Sequence, residues 1–225
     1  MTKETSTERI RDRVRHDIAT GAFAPGTRLT VAALAKRYGS SPMPIRAALQ
    51  EMQGQGLIVT TPRHGARVRD VDAGFIANVC DLRGAVIALL IPGTVRHITN
   101  AGIETLAAIQ DRLEAATAAG DPILAMRHNR DFHRTIFGLA GNPVALEVME
   151  RTWALLDGLR ARYGFGEGRL EAANASHRRL LAALKRRDAA SASRILLDSL
   201  AKAKQDLIDC VERQESAPAP RRRPR

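Results

Sequence analysis

Asn129 and His133 stand four residues apart on a stripe with Met126, Ile136 and Ala140, and His177 shares a stripe with Leu170, Ala173, Leu181 and Leu184. Four-residue spacing puts side chains on one helix face. Two imidazoles and an amide turned inward between helices can hold a divalent metal or hydrogen-bond a carboxylate ligand, and bundle interiors are where such sites are built. The same pattern also describes histidines that bond a neighbour inside a core. A second cluster lies near the N-terminus. Met43, Arg46, Ala47 and Gln50 fall on one face of residues 42–53, opposite Ile45, Ala48, Leu49 and Met52, and a basic turn of Pro62, Arg63, His64 and Gly65 follows. Guanidinium groups at a helix start and on a narrow hairpin tip suit phosphates and base edges.

Chemistry of other kinds finds few residues to carry it. There is no HExxH, no GxSxG and no clear general base, so a hydrolase using His133 and His177 is a poor reading and no enzyme is expected. The run GFGEG at 164–168 has no strand before it and no Lys-Ser/Thr after it, so it reads as a mobile turn and not a phosphate loop. Cys80 and Cys210 belong to no CxxC pair and read as buried free thiols in a reducing cytosol.

The elements that must position these groups are mostly helical. Aromatic residues make up 4% of the 225-residue chain, apolar residues 44%, and long alternating β-branched runs are missing, which argues against a sandwich or barrel. The mean hydropathy is -0.21. The longest apolar run, residues 86–92, is short of the roughly 20 residues a membrane helix needs, so an intracellular, non-membrane protein is expected. Ile10, Val14 and Ile18 predict a helix over 7–20, Thr30 caps a second whose inner face includes Leu34 and Tyr38, and Gly39 stops it. Pro42 and Pro44 suit the first turn of a third helix, where backbone N–H groups go unpaired anyway. Strand, basic turn and strand over 57–69 complete a winged helix-turn-helix. Its usual partner is DNA; some winged helices meet protein instead.

From residue 72 onward helical periods dominate, giving about six helices in a bundle. Phe75, Val79, Leu82, Val86 and Leu89 mark the first, expected to break near Pro92 and Gly93; Asp121 and Asn142 cap later ones, and Trp153 reads as a core residue. Charge divides the chain in the same place. Lys and Arg outnumber Asp and Glu by 12 to 6 in residues 1–70 but only 18 to 17 in 71–212, within a net +11. That is the charge pattern of a polyanion-binding module joined to a regulatory domain. The tail 213–225, with 5 basic residues against 1 acidic, is expected to be disordered, its arginines adding nonspecific phosphate affinity or merely solvating the end.

Residues 5–70 resemble the DNA-binding domain of GntR-family bacterial transcription regulators, through Pro25, Gly26, Arg28 and Leu29, the Leu34-Ala35 pair, residues 41–46, Ala48, Leu49, Gly56, Leu57 and the wing glycine Gly65. The resemblance implies DNA contacts from Ser41 and Arg46 on the recognition helix and from His64 and Gly65 on the wing. Met43 shares the reading face, and Lys36, Arg37, Arg63 and Arg67 are candidate phosphate partners or solvated surface charges. Pro42 replaces an arginine usual in the family, Ala47 a glutamate, and Ala32 a charged residue; losing a base-reading arginine removes about 1–3 kcal/mol of discrimination, so the operator should differ from the common one.

Residues 74–212 resemble the FadR-type effector domain, FCD, through NRDFHRTIFGLAGNP and ASHRRLLAALKRRDAASASRILLDSL. The family's metal set maps to Asn129, His133, His177 and Ser199, the last in place of a third histidine. No cofactor is assigned outright; a divalent ion such as zinc or nickel is the candidate, weakened because hydroxyl and amide are poorer ligands than imidazole and carboxylate. Arg83 matches an arginine facing an acidic effector, and Ile87 replaces the family's glutamate. Expected is a cytoplasmic, homodimeric, ligand-responsive regulator, a repressor on a palindromic operator in double-stranded DNA, with a small organic acid or related metabolite as effector. The expected organisation is a DNA-binding domain at 1–70, a linker at 71–73, an effector-binding and dimerisation domain at 74–212, and the tail.

Overall fold

The computed structural model describes residues 5–19, 21–54, 56–61 and 65–215. Arg63 and His64 lie outside the described residues, as does the tail beyond residue 215.

The N-terminal unit comprises α1 (Ser6–Ala19), β1 (Arg28–Leu29), α2 (Val31–Tyr38), α3 (Pro42–Gly54), β2 (Ile58–Thr61) and β3 (Gly65–Val68). The Thr30 hydroxyl accepts the Ala33 N–H to start α2, and Gly39, at φ 61°, takes the left-handed conformation that ends it. α3 buries Ile45, Ala48, Leu49 and Met52 against Ile10 and Val14 of α1 and Leu34 of α2. The wing differs from the two-stranded ribbon read from sequence. It is a three-stranded antiparallel sheet in the order β1-β3-β2, with Arg28 opposite Arg67 and Ile58 opposite Val68. A two-residue strand is too short to show alternation, so β1 left no pattern to read.

The C-terminal unit packs α4 (Ala73–His97), α5 (Asn100–Ala118), α6 (Pro122–Gly138), α7 (Pro143–Tyr163), α8 (Arg169–Lys185) and α9 (Ala189–Glu215) around Ile91, Leu106, Phe132, Ile136, Phe137, Met149, Leu180 and Leu184. Asp72, Thr99, Asp121 and Asn142 each accept a first-turn N–H as side-chain caps of α4 to α7. α4 does not break at Pro92. Proline removes only the bond to the Ala88 carbonyl, and both residues lie on the face turned away from the bundle core, so no polar group is stranded inside it. Next to it, Gly93 admits the α6–α7 turn: a Cβ there would lie 2.7 Å from the Ala140 oxygen. The Thr94 hydroxyl donates to the Ile136 carbonyl at 2.9 Å across the same approach.

The buried stripe of α4 is Ile76, Cys80, Arg83, Ile87, Leu90 and Ile91, not the stripe through Leu82 and Leu89, which are 50% and 62% exposed. A helix apolar nearly all round gives periodicity nothing to phase against. For the same reason α4 is long and apolar enough by composition to cross a membrane, although it packs along α9 inside the bundle.

The two units share side chains. Leu155 of α7 is buried in the N-terminal core, and Gly158 one turn on leaves no room for a Cβ, which would lie 2.7 Å from Leu57 Cδ2.

Candidate functional site

On the N-terminal unit, the apolar stripe of α3 fixes which face looks outward. Ser41, Met43, Arg46 and Gln50 are exposed, Met43 to 73%, at the start and along one side of the helix. Pro42 has no N–H, so it opens the helix without adding an unpaired donor to its first turn. Lys36 is exposed. Arg37 is engaged inside the unit: its Nε donates to Asp17 Oδ2 at 2.7 Å and its guanidinium stacks on Phe23. Arg67 donates to the Gly26 carbonyl at 3.0 Å, bracing the turn before β1. Gly65, at φ 71°, begins β3 where a side chain would strain the backbone.

In the bundle, five residues scattered over more than a hundred positions line one cavity of about 140 Å³: Arg83 from α4, Asn129 and His133 from α6, His177 from α8 and Ser199 from α9. That volume is on the order of ten water-sized sites, enough for a small metabolite. The remaining wall is largely apolar, with Ile87, Phe137, Leu170, Leu196 and Leu200.

A hydrogen-bond chain fixes the protonation of the two imidazoles. Glu114, itself bonded to Arg178, can only accept, so the Gln110 amide nitrogen that lies 3.0 Å from it must donate. Gln110 Oε1 therefore faces His177 Nδ1 at 2.8 Å and receives its proton. His177 Nε2 then offers a lone pair, to which His133 Nε2 donates at 3.2 Å. His133 Nδ1 is left with a buried lone pair and no partner. Burial, then the charges of His177, Arg83 and Arg169, push the His133 pKa well below the ordinary histidine range. Burial, then Arg169, pushes His177 down to about 3. Both rings are neutral at physiological pH.

Arg83 is 6% exposed and, among the described residues, has no carboxylate within salt-bridge distance. Its Nη1 donates to Thr152 Oγ1 at 2.8 Å, its plane lies over Trp153, and its Nε has no partner. Burial lowers its pKa to about 10, which still leaves it charged. Trp153 is thus more than the plain core residue read from sequence. The Gly164–Gly168 turn is tied down, contrary to its reading as a mobile loop. The Gly166 N–H donates to Asp206 Oδ1, and Arg160 donates to Asp206 Oδ2 at 2.6 Å and to the Gly164 carbonyl at 3.0 Å. Phe165, under the Arg160 guanidinium, closes that side of the cavity.

These residues do not fit a resident divalent metal. The two imidazole Nε2 atoms are close enough to share an ion but are spent on each other, and the remaining candidates are the Asn129 amide and the Ser199 hydroxyl. Among the described residues no cluster of three His, Cys, Asp or Glu side chains with metal-binding geometry occurs. Arg83 and Arg169 in the same wall would repel a dication. Gln110, Arg160 and Arg169 were not singled out from sequence, and Trp153 only as a core residue. Gln110 alone carried a signal: a glutamine on the buried stripe of Leu106 and Leu113.

Comparison with known proteins finds a family match in each unit. Residues 78–202 match the family model of the FCD domain, and residues 6–68 match that of the bacterial regulatory proteins of the gntR family. The HTH-type transcriptional regulator McbR of Escherichia coli K12 is 25% identical over 184 residues, covering 81% of this chain and 83% of that protein. The HTH-type transcriptional repressor GlaR of the same organism is 28% identical over 200 residues, covering 83% and 89%. Among solved structures, E. coli McbR/YncC superposes with a TM-score of 0.72 at 22% identity over 91% of this chain and 98% of that one. Lar of Listeria monocytogenes gives 0.71 at 16% identity over 93% and 99%.

Proposed function

Because the chain belongs to the GntR family of bacterial transcription regulators and carries an FCD domain, which binds small-molecule effectors, we propose that it is a homodimeric repressor whose grip on a palindromic operator is set by a small organic acid or related metabolite. It works in the cytoplasm, on the chromosome, and is not an enzyme. The proposed division is DNA binding in 1–70, a linker at 71–73, effector binding and dimerisation in 74–212, and a basic tail from 213.

The observation that carries this reading is the outward face of α3, with Ser41, Met43, Arg46 and Gln50 held exposed by a fully buried opposite stripe. A helix of this width fits a major groove, and two copies on one two-fold axis meet successive grooves. Lys36, Arg63 and His64 are assigned to phosphates and the wing contact on the family resemblance, with Gly65 at the wing; Arg37 and Arg67 would have to leave Asp17 and Gly26 to take part. The repressor assignment draws support from GlaR. Zinc or nickel is not assigned to Asn129, His133 and His177, for the reasons of charge and donor set above.

Selection of bound sites from random duplex, followed by a gel-shift titration at two salt concentrations, tests the reading. Arg46→Ala should lose about 1–3 kcal/mol on the selected site and little on random DNA. Equal losses on both would remove Arg46 from base readout, and binding that ignores salt would point to a protein partner for the winged helix.

A further inference from the structure

Four charged side chains line the bundle cavity: Arg83, Asp157, Arg160 and Arg169. Both carboxylates in reach are committed. Asp157 pairs with Arg130, and Asp206, just outside the wall, pairs with Arg160 and the Gly166 N–H. Among the described residues neither Arg83 nor Arg169 has a carboxylate within salt-bridge distance; Asp206 acts on Arg169 only from further off, and the hydrogen bond of Arg169 is a long 3.5 Å donation to the Ser199 carbonyl. The neutral histidine pair beside them compensates nothing. Arg83 is buried and Arg169 half-buried; a guanidinium withdrawn from water without a salt bridge is costly, and an anion in the cavity would offset that cost.

We propose that the cavity binds a small dicarboxylate directly, one carboxylate on Arg83 and the other on Arg169, with no metal ion. This rests on the effector-site reading above and specifies it. Two guanidiniums on different helices, α4 and α8, favour a ligand with an anionic group at each end, and the apolar side chains Ile87, Phe137, Leu196 and Leu200 suit the methylenes between them. Ile87, one turn on from Arg83 in the same wall, offers that guanidinium no carboxylate. Guanidinium and carboxylate pair through two parallel hydrogen bonds, which Arg83 Nε, unpartnered in the structure, is free to join.

The test uses the full-length protein stripped of metal with EDTA, with thermal unfolding and calorimetry against linear dicarboxylates of three to six carbons, butyrate and inorganic phosphate. At least one dicarboxylate should raise the melting temperature in EDTA and bind at least tenfold tighter than butyrate. Arg83→Met and Arg169→Met should each abolish that shift, and Arg83→Met should melt at or above the wild-type temperature without ligand, because it removes an uncompensated buried charge. Arg134→Met, on the surface, should keep the shift. The proposal is overturned if no dicarboxylate binds, if binding needs added zinc or nickel, if butyrate binds equally or phosphate binds more tightly, or if Arg83→Met retains the shift. A parallel DNA-affinity measurement separates the two readings. A dicarboxylate that binds without changing DNA affinity defeats the effector role and leaves the site, whereas a different metabolite that changes DNA affinity defeats the dicarboxylate and leaves the role.

Discussion

His133 and His177 behave unlike histidines that gain a charged partner on folding. Their folded pKa values lie below the unfolded value of about 6.5, so on acidification the unfolded chain takes up protons before the folded one does. Stability contributed by the pair is therefore complete above about pH 6.5 and is lost as pH falls from there toward the folded values. Each ring adds a slope of up to about 1.4 kcal/mol per pH unit in that window. We expect urea titrations between about pH 5 and 6 to show this acid loss, and His133→Phe to make the slope shallower by one ring's share whatever it does to stability at pH 7. An unchanged slope would mean that the rings are not held neutral. At this scale much was legible in the sequence: Arg83, Asn129, His133, His177 and Ser199 line one cavity. It did not give away Arg169 or Arg160, since arginines in helices rich in arginine have no pattern that marks the buried ones.

At the scale of elements, α7 is the shared wall. Trp153, Asp157 and Arg160 face the cavity, while Ala154, Leu155 and Gly158 face α1 and the start of β2. A shift of α7 toward the N-terminal unit in response to ligand would press on Leu57, against which Gly158 leaves no room for even a methyl group. Gly158→Ala gains up to about 1 kcal/mol of helix propensity and loses about 1–3 kcal/mol to overpacking. We expect a net destabilisation of about 1 kcal/mol in denaturant melts, together with a changed DNA affinity at unchanged effector affinity. Gly138→Ala, at the end of α6 with open space around it, should not destabilise. If Gly158→Ala were as harmless as Gly138→Ala, the contact would carry no load between the units. Caps and short helices were readable here because Thr30, Asp121 and Asn142 act locally. The phase of α4 was not, because all its faces are apolar.

For the whole molecule, the outward side of α4 is the feature the single chain leaves open. Leu82, Ala85, Leu89 and Pro92 form an exposed stripe along a helix that carries Arg83 inward. A second copy packed there would bury it and align two N-terminal units on a two-fold axis. Leu89→Arg should convert a sedimenting dimer to monomer and reduce affinity for a palindromic site at least tenfold, while thermal unfolding of the monomer persists. Dimers surviving Leu89→Arg would place the two-fold axis elsewhere.

Sequence by itself settled what depends on neighbours along the chain: most helix segments, the caps Thr30, Asp121 and Asn142, the winged helix-turn-helix order and the basic N-terminal third. Tertiary structure decided what depends on neighbours across space. It set the face α4 turns inward, the three-stranded wing, the Glu114-to-His133 proton order and the two cavity guanidiniums that lack a salt bridge among the described residues. The reason is range: capping and periodicity act within about one or two turns, whereas the charge state of a buried group depends on which side chains the packing brings beside it.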